Sequence, residues 1–385
     1  MKRTVAVVTT SRADYAHLHW VLRDLRDHPE LEPRLDATGA HLAQEFGRTV
    51  EELERDGLAV DERVECLLSS DTDVGMAKTI GVAVLGLAEV FARRRPDLVL
   101  LIADRYELLA PAAVALSLRL PIALVEGGEV SEGAVDDAVR NAVTKMSHLH
   151  FVPTERARRR VVAMGEEPWR VHRVGAPSLD YLVRGELLGR EALERALGIE
   201  LADPCVLAAY HPVTLLDDTI AEADAVFGAL EELPYQVLFC FPNADAGSRR
   251  LVDRARALCS RRAESRLWVN LNPRLYWSLL RQVSAIVGNS SSGIMEAASI
   301  PLPVVDVGLR QRGRERAGHV LHAPAERGAI AAAVRRAVDP QFRRGLEGLV
   351  NPYGDGAASR RIVDVLARTP LGEELLIKRA VPLDD

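Results

Sequence analysis

The stretch from Val287 to Glu296 constrains this chain more than any other part of the sequence. An apolar strand, Ala285–Val287, runs directly into Gly-Asn-Ser-Ser-Ser-Gly and then into a helix predicted over Gly293–Ala298. Such a turn presents backbone N–H groups, serine hydroxyls and the positive end of a helix dipole to an anion, with the Glu296 carboxylate one turn further on. The same residues suit an ordinary capped helix, because serine and asparagine stabilise helix starts. The stretch therefore predicts phosphate binding or helix capping, and its neighbours decide between them.

The length of the chain predicts two domains, because 385 residues exceed what one hydrophobic core usually supports. Hydrophobic residues make up 48% and charged residues 27%, which is typical of a globular protein and argues against disorder. The net charge of −6 is spread along the chain, and the basic clusters Arg93–Arg95 and Arg158–Arg160 carry no interleaved aromatic residues. Nucleic-acid binding is therefore not predicted.

Cysteine usage and the N-terminus indicate a cytoplasmic protein. The four cysteines are scattered without C-x-x-C spacing, and Cys205 and Cys240 fall inside apolar runs, which favours a reducing and metal-free setting. The N-terminal apolar segment turns polar at Thr9-Thr10-Ser11, too early for a signal peptide, and we expect no apolar run elsewhere to span a bilayer.

Short apolar strands alternate with amphipathic helices along both halves of the chain, which is typical of parallel α/β folds. The strands of the first half are predicted at Thr4–Val8, Leu35–Thr38, Leu98–Ile102, Pro121–Val125, Leu149–Val152 and Val171–Val174. Those of the second half are predicted at Cys205–Tyr210, Tyr235–Cys240, Leu267–Asn270, Ala285–Val287 and Leu302–Val305. Two such series predict two Rossmann-like domains facing across a cleft, with ligands at the carboxyl ends of the strands.

Charged residues follow the strand ends of the first half. Arg12 comes after the first strand, His41 after the second, Asp104 after the third and Glu126 after the fourth. Because these ends share one edge of a parallel sheet, we expect Arg12, Asp104 and Glu126 to converge there. Crowded carboxylates repel one another, so one holds its proton to higher pH and suits an acid while another suits a base.

Further polar candidates lie on a helix and in the second half. Asp136 and Arg140 are one helical turn apart, and Asp137 and Arg140 are spaced i, i+3, which suits an exposed ion pair as well as a site. His211 follows a second-half strand and precedes a proline that keeps it extended. Asn243 begins a turn and Tyr276 lies beside Trp277, where capping and core packing are the alternatives to ligand contact.

The ordered motifs resemble the hydrolysing UDP-N-acetylglucosamine 2-epimerases that make N-acetylmannosamine for bacterial sialic acid. They are Thr10–Tyr15, Thr38–His41, Asp104–Glu107, Glu126–Glu129, Asp136-Asp137 with Arg140, Thr144–His150, His211–Thr214, Asn243–Asp245, Gly288–Gly293 and Arg310–Arg314. The resemblance is nearly full length, and it implies the glycosyltransferase-B architecture of two Rossmann-like domains.

The resemblance also implies roles. UDP binds to the serine turn, Glu296 contacts the ribose, and Arg12 approaches the phosphates. A carboxylate removes the C2 proton as UDP leaves C1, and water adds to the resulting 2-acetamidoglucal with inverted C2 configuration. The candidate catalytic residues are Asp104, Glu126, Asp136 and His211. The candidate substrate-binding and UDP-binding residues are Arg12, His41, Arg140, Asn243, Tyr276, Ser290, Ser291, Ser292, Gly293 and Glu296.

Three departures from the family pattern, Ala40, Ala103 and Leu309, leave the substrate open. UDP-N,N'-diacetylbacillosamine is an alternative to UDP-N-acetylglucosamine. A non-hydrolysing 2-epimerase, and a UDP-sugar-binding protein or glycosyltransferase without epimerase activity, are the alternative functions. No cofactor is predicted and no metal is required, because the acids lack paired histidines and Asp-x-Asp runs, although a weakly held magnesium ion stays open.

The predicted N-terminal domain covers residues 1–175, joined by a C-terminal helix within 358–385, and the predicted UDP-binding domain covers residues 176–357. The only predicted partners are the UDP-sugar and further copies of the chain, since relatives form homodimers or homotetramers. The apolar helix Gly81–Ala92 suits either a subunit interface or a cover for a sheet.

Overall fold

The computed structural model describes residues 2–68, 70, 72–102, 105–216, 218, 220–241, 248–269 and 271–380. Its strands are β1 Arg3–Thr9, β2 Leu31–Thr38, β3 Val60–Val64, β4 Leu98–Ile102, β5 Ile122–Val125, β6 Leu149–Val152, β7 Val171–Arg173, β8 Cys205–Ala209, β9 Gln236–Cys240, β10 Arg266–Trp268, β11 Ala285–Gly288, β12 Val304–Val307 and β13 Val320–Ala323. Its α-helices are α1 Arg12–Asp27, α2 Val50–Arg55, α3 Asp73–Arg94, α4 Leu109–Ser117, α5 Val135–Met146, α6 Glu155–Ala163, α7 Asp180–Arg184, α8 Arg190–Leu197, α9 Ala223–Glu232, α10 Ser248–Arg261, α11 Pro273–Leu280, α12 Ser291–Met295, α13 Arg327–Ala337, α14 Pro340–Arg344, α15 Ala358–Arg368 and α16 Glu373–Leu376.

These elements form two compact units, each built on one parallel sheet. Unit 1 comprises Met1–Glu129, Val135–Asp180 and Gly354–Asp385, and unit 2 comprises Val130–Ala134 and Tyr181–Tyr353. The first sheet has the order β3-β2-β1-β4-β5-β6-β7, and the second has the order β10-β9-β8-β11-β12-β13. Every strand pair is parallel, so the predicted α/β class with two Rossmann-like sheets is confirmed.

Helices cover both faces of the first sheet. Side chains of α1 and α15 complete the core on one face, and those of α3, α4 and α5 complete the core on the other. The C-terminal segment thus returns to unit 1, where Asp180 accepts hydrogen bonds from the backbone N–H groups of Ala358 and Ser359 at 2.9 Å each. In unit 2, α9, α10 and α13 pack on one face of the sheet.

A buried carboxylate anchors the chain beyond α16. The Lys378 ammonium contacts both carboxylate oxygens of Glu166 at 2.8 and 2.9 Å, and Lys145 contacts one of them at 2.5 Å. Burial raises the pKa of Glu166, but hydrogen bonds from His150, Lys145 and Lys378 outweigh it and lower the pKa to about 2. The segment after α16 is therefore held on unit 1 by charge-assisted hydrogen bonds.

Helix α3 is long and apolar enough, by length and composition alone, to cross a bilayer, which the sequence analysis did not expect. Its apolar window has a mean hydropathy of 1.6, and 33% of that window is buried in the chain. Ala83, Leu87 and Phe91 are buried in the core of unit 1, so the helix also covers the sheet as a core helix does. Val82 and Leu85 stay exposed, at 40% and 73%.

Candidate active site

Most of the predicted site residues of unit 1 lie at the carboxyl edge of its sheet. The segments after β1, β2, β4 and β5 supply Arg12, His41, the Arg105–Glu107 turn and Glu126, and α5 supplies Asp136 and Arg140. Asp104, the predicted acid after β4, lies outside the described residues. The sheet order places β4 between β1 and β5, so the ends that carry Arg12 and Glu126 flank the end of β4.

Arg12 begins α1 and is fixed by the local hydrogen bonds of the helix start. Ser11 caps the helix and Asp14 accepts from the Ser11 N–H in return, a reciprocal capping box. The Arg12 side chain is only 6% exposed, and among the described residues its Nε and Nη1 atoms have no hydrogen-bond partner. A buried guanidinium with unused donors is suited to an anion such as a phosphate.

Glu126 has an unusual backbone at the end of β5. Its φ angle of 63° lies in the left-handed region that non-glycine residues seldom occupy, and its N–H donates to the Phe151 carbonyl at 2.7 Å. Its Oε1 lies 2.8 Å from Nδ1 of His17 on α1, a residue that sequence reasoning missed. Strained backbone of this kind is concentrated at functional sites, which supports a role for Glu126.

The α5 helix presents Asp136 and Arg140, which are 5% and 1% exposed. The Arg140 Nη1 donates to the Glu129 carbonyl at 3.2 Å and lies 3.4 Å from Oδ1 of Asp137, the predicted i, i+3 partner. The near-complete burial of Arg140 excludes the alternative of an exposed ion pair. The charge instead lies inside unit 1.

The turn after β4 contains a buried ion pair that the sequence analysis did not single out. The Arg105 Nη2 donates to Oε1 of Glu107 at 3.0 Å, and both side chains are almost fully buried. Burial raises the pKa of Glu107, and the Arg105 guanidinium opposes that rise. Asp14 bears on the same group, since its charge raises the pKa of Glu107 further. Three charged groups, Asp14, Arg105 and Glu107, thus interact within unit 1.

His41 is fully buried and both of its ring nitrogens are engaged. Nε2 lies 2.9 Å from the Thr9 hydroxyl and Nδ1 lies 2.8 Å from the Thr49 hydroxyl. Burial lowers the pKa of His41 to about 3, so the ring is neutral. A ligand would have to displace a threonine hydroxyl to reach a ring nitrogen, and the substrate-binding role of His41 stays a prediction.

In unit 2, Asn289 clamps the backbone of His211. The Asn289 side chain accepts from the His211 N–H at 2.7 Å and donates to the His211 carbonyl at 2.9 Å. Gly288 allows this approach, because its φ is 138° and a side-chain Cβ there would lie 2.1 Å from the Ala209 carbonyl oxygen. The glycine and asparagine that open the serine motif therefore fix the predicted catalytic histidine.

The serines that follow form a hydrogen-bonded chain with an aromatic residue. The Tyr276 hydroxyl donates to Oγ of Ser292 at 2.8 Å, and Ser292 in turn donates to the Glu296 carboxylate. Ser290 and Ser291 are partly exposed at the start of α12, which begins two residues before the predicted Gly293 and ends at Met295. Trp277 is 2% exposed and belongs to the core, which agrees with the core-packing alternative for this residue. The partly exposed Tyr276 thus reaches the same loop as Ser292 and Glu296.

The Arg310–Arg314 motif supports this loop from the next strand end. Arg310 and Gln311 both donate to the Asn289 carbonyl, at 3.2 and 2.7 Å. Arg314 donates to the Val130 carbonyl at 2.6 Å and to the Ser131 hydroxyl at 3.3 Å. The structure therefore brings His211, Tyr276, Ser290–Gly293 and Glu296 to one edge of unit 2, whereas Asn243 lies outside the described residues.

Fold and site together define a class, namely two-sheet α/β proteins with buried cations and carboxylates at the carboxyl edges of both sheets. The model of the UDP-N-acetylglucosamine 2-epimerase family matches residues 23–367. The chain therefore belongs to the UDP-N-acetylglucosamine 2-epimerase family.

Three relatives match over most of their length. The chain is 34% identical to the hydrolysing UDP-N,N'-diacetylbacillosamine 2-epimerase of Legionella pneumophila, over 98% of this chain and 99% of that protein. It is 32% identical to the hydrolysing GDP/UDP-N,N'-diacetylbacillosamine 2-epimerase of Campylobacter jejuni, over 83% and 84%. It is 32% identical to the UDP-N-acetylglucosamine 2-epimerase of Neisseria meningitidis, over 88% of both chains.

Solved structures show the same fold. The Methanocaldococcus jannaschii UDP-GlcNAc 2-epimerase in complex with UDP-GlcNAc and UDP matches with a TM-score of 0.79 at 17% identity, covering 95% of this chain and all of that one. The Neisseria meningitidis UDP-GlcNAc 2-epimerase bound to UDP-GlcNAc matches with a TM-score of 0.78 at 18% identity, covering 96% and all of the other chain. The predicted glycosyltransferase-B fold is thereby confirmed.

Proposed function

We propose that this enzyme is a hydrolysing 2-epimerase that converts UDP-N-acetylglucosamine to N-acetylmannosamine and UDP. The observation that carries the proposal is Glu126, a carboxylate held on strained left-handed backbone at the strand edge of a chain that belongs to a 2-epimerase family. The reaction needs such a group, because the C2 hydrogen of an acetamido sugar is weakly acidic and a positioned base must remove it.

Unit 2 supplies the groups for UDP in this proposal. The partly exposed serines Ser290–Ser292 bind the diphosphate, and Glu296 accepts hydrogen bonds from the ribose. Tyr276 is oriented by its bond to Ser292 and packs beside the base. Arg12 of unit 1, with unused donors in the described part of the chain, neutralises a phosphate. Charge neutralisation at the leaving group is usually the largest contribution to such a step.

The chemistry has two steps. In the first, the C1–O bond breaks and UDP leaves with the bonding electrons. A carboxylate takes the C2 proton, and the electron pair of the C2–H bond forms the C1–C2 double bond. In the second, water adds its hydroxyl to C1 and a proton reaches C2 from the opposite face, which inverts C2. Glu126 and Asp136 are the acid/base candidates among the described residues, Asp104 is the third candidate, and His211 stabilises the departing phosphate.

A second substrate is favoured by specific relatives. Two proteins that match most of the chain are named as hydrolysing enzymes for diacetylbacillosamine nucleotides. UDP-N,N'-diacetylbacillosamine is therefore the second candidate, and it requires the same two steps at C1 and C2. The first candidate function also includes production of N-acetylmannosamine for sialic acid and a cytoplasmic location.

The decisive experiment offers the purified protein both UDP-sugars separately and in competition, in D₂O, and follows the products by NMR. We expect free UDP together with a free sugar of inverted C2 configuration that carries deuterium at C2. UDP-N-acetylmannosamine as the product would indicate a non-hydrolysing epimerase. If the protein binds UDP but releases none from either UDP-sugar, the proposed function is overturned in favour of a binding protein.

We also propose that two copies of the chain pair through the exposed face of α3. Val82 and Leu85 form the apolar centre of this face. Lys78 and Glu89 lie on the same face, three turns apart, and neither forms an ion pair within the described chain. In an antiparallel two-fold pair, Val82 lies opposite the partner's Leu85 and Lys78 lies opposite the partner's Glu89. The face therefore pairs apolar with apolar residues and opposite charges with each other in such a dimer.

Reversing one charge on this face is expected to weaken the dimer. In Lys78→Glu, two glutamates oppose each other at both ends of the pair, so we expect the dimer to dissociate at least tenfold more readily in equilibrium sedimentation. The double variant Lys78→Glu/Glu89→Lys restores opposite charges and should restore the dimer. A monomer in the unsubstituted protein, or equal weakening in the single and double variants, would contradict this interface.

A further inference from the structure

His17 contacts the proposed acid/base residue Glu126 directly. The two residues are 109 positions apart, and the fold of unit 1 brings Nδ1 of His17 to 2.8 Å from Oε1 of Glu126. Their side chains are 20% and 11% exposed, so the contact is mostly shielded from water yet still reachable from the strand edge. A contact of this length is a charge-assisted hydrogen bond whenever the imidazole carries a proton.

We propose that His17 is the positioning residue for Glu126, holding the carboxylate in one orientation from which it accepts the C2 proton. The inference rests on the proposed function. It deepens that function by naming the residue that orients the proposed base.

The backbone of Glu126 explains why an orienting partner is needed. A left-handed backbone at the strand end turns the side chain out of the ordinary strand direction, and glycines follow at positions 127 and 128. Neither glycine has a side chain that limits the rotamers of Glu126. His17, in contrast, sits on α1, which is fixed by its capping box and by packing of Leu18 and Leu22 in the core. A rigid helix therefore holds a side chain that extends from strained, glycine-flanked backbone.

Other charged groups surround the pair. Asp14, one turn earlier on α1, is buried, and burial raises its pKa while Thr10, Arg105 and His17 lower it. Arg105, from the turn after β4, pairs with Glu107. Arg140, from α5, donates to the Glu129 carbonyl and lies near Asp137. The imidazole thus contacts the Glu126 carboxylate directly and acts on the Asp14 carboxylate through its charge.

Replacement of the imidazole tests the role. In His17→Gln, we expect kcat for UDP release to fall about 10-fold to 100-fold, the size seen when a partner that orients a reacting group is removed. UDP affinity should stay nearly unchanged, because unit 2 supplies most of the UDP contacts in the proposed function. His17→Lys keeps a side chain that can donate to the Glu126 carboxylate and should regain part of the lost kcat. His28→Gln, the same change at the C-terminal end of α1, is the matched control and should leave kcat unaltered.

Two outcomes would overturn the proposal. One is a His17→Gln enzyme that keeps kcat within threefold of the unsubstituted enzyme. The other is a folded His17→Lys enzyme that is no more active than His17→Gln, because a donor at this position would then not orient the carboxylate. Thermal melting of each variant establishes that it is folded before its kinetics are interpreted.

An NMR titration separates failure of this inference from failure of the proposed function. The His17 resonance, assigned by its absence in His17→Gln, is followed against pH in the unsubstituted protein and in Glu126→Gln. We expect its midpoint to be higher in the unsubstituted protein, since a neighbouring carboxylate stabilises the imidazolium. Equal midpoints overturn the pair even if the enzyme is active. A shifted midpoint supports the pair even if neither UDP-sugar is the substrate.

Discussion

Glu126→Gln is expected to lower the rate of UDP release about 10³-fold while leaving UDP binding nearly unchanged. Glutamine keeps the size of the side chain but cannot accept a proton at neutral pH, and a general base or acid typically contributes 10²-fold to 10⁴-fold to a rate. UDP is bound in the proposal mainly by serines and Glu296 of unit 2, so its affinity should be preserved. A coupled assay for UDP, with isothermal titration for binding, measures both quantities.

The step that Glu126 serves can be isolated with the proposed intermediate. If Glu126 removes the C2 proton, the Glu126→Gln enzyme should fail to form 2-acetamidoglucal from the UDP-sugar but should still hydrate glycal that is supplied with UDP. Glu132→Gln, an exposed carboxylate six residues later, is the matched control. Activity of Glu126→Gln within threefold of the unsubstituted enzyme would show that the strained carboxylate serves structure alone.

The sequence predicted the buried strands well because they are continuous apolar runs. It missed β3 and β13, which lie at the edges of their sheets: β3 has three charged residues in a row, Asp61–Arg63, and β13 has only four residues, of which one is buried. Edge strands need only one paired side and one buried face, so the apolar pattern that marks central strands is absent from them.

The sequence indicated which segments lie at the carboxyl ends of the strands, but not which side chains contact one another there. Strand-end position identified Glu126 and His211, because a parallel sheet collects its carboxyl ends on one edge. His17 had no such signal, since it lies within the helical pattern of α1 and reaches Glu126 only through the fold. The sequence places Asn289 in an anion-binding turn, whereas its side chain forms two hydrogen bonds to the backbone of His211, 78 residues away.

The domain division shows the same limit of sequence reading. The chain passes from unit 1 to unit 2 at Asp180–Tyr181 and returns at Gly354, whereas the sequence analysis predicts boundaries after residues 175 and 357. The excursion of Val130–Ala134 into unit 2 carries no composition signal. It is held by Arg314, which donates to Val130 and Ser131, and such a long-range contact is invisible in a local pattern.

A buried carboxylate on β2 that is not among the predicted site residues carries the second large expectation. Asp36 on β2 is 1% exposed and lines a cavity of about 190 Å³ with Val90 and Phe91. Burial raises the pKa of Asp36 to about 7; Arg94 opposes the rise, and Asp61 and Glu62 add to it. Oδ1 of Asp36 has no hydrogen-bond partner among the described residues. Ionisation of this group, once the pH exceeds its pKa, therefore destabilises the folded protein.

Asp36→Asn is expected to stabilise unit 1 above pH 7 by about 2–4 kcal/mol. A pKa raised from 3.8 to about 7 corresponds to an upper bound of about 4 kcal/mol, at 1.36 kcal/mol for each tenfold change. Between these two values the folded chain binds a proton that the unfolded chain has lost. The stabilising effect of that proton is complete below pH 3.8, declines as the pH rises, and is gone above about 7. Asparagine is neutral throughout, so the variant lacks this decline.

The measurement is urea denaturation at pH 5.5 and pH 8, read by hydrogen exchange in peptides that cover β2, because a chain of two units need not unfold in one step. The stability difference between Asp36→Asn and the unsubstituted protein should grow by about 2 kcal/mol between these pH values, most of it below pH 7. Asp364→Asn, on the exposed side of α15, should show no such growth. A difference that stays constant with pH, or that favours the unsubstituted protein at pH 8, would mean that Asp36 is ionised and satisfied in the folded chain. In that case the Arg34 and Arg94 side chains that line the same cavity, or water within it, must solvate the charge.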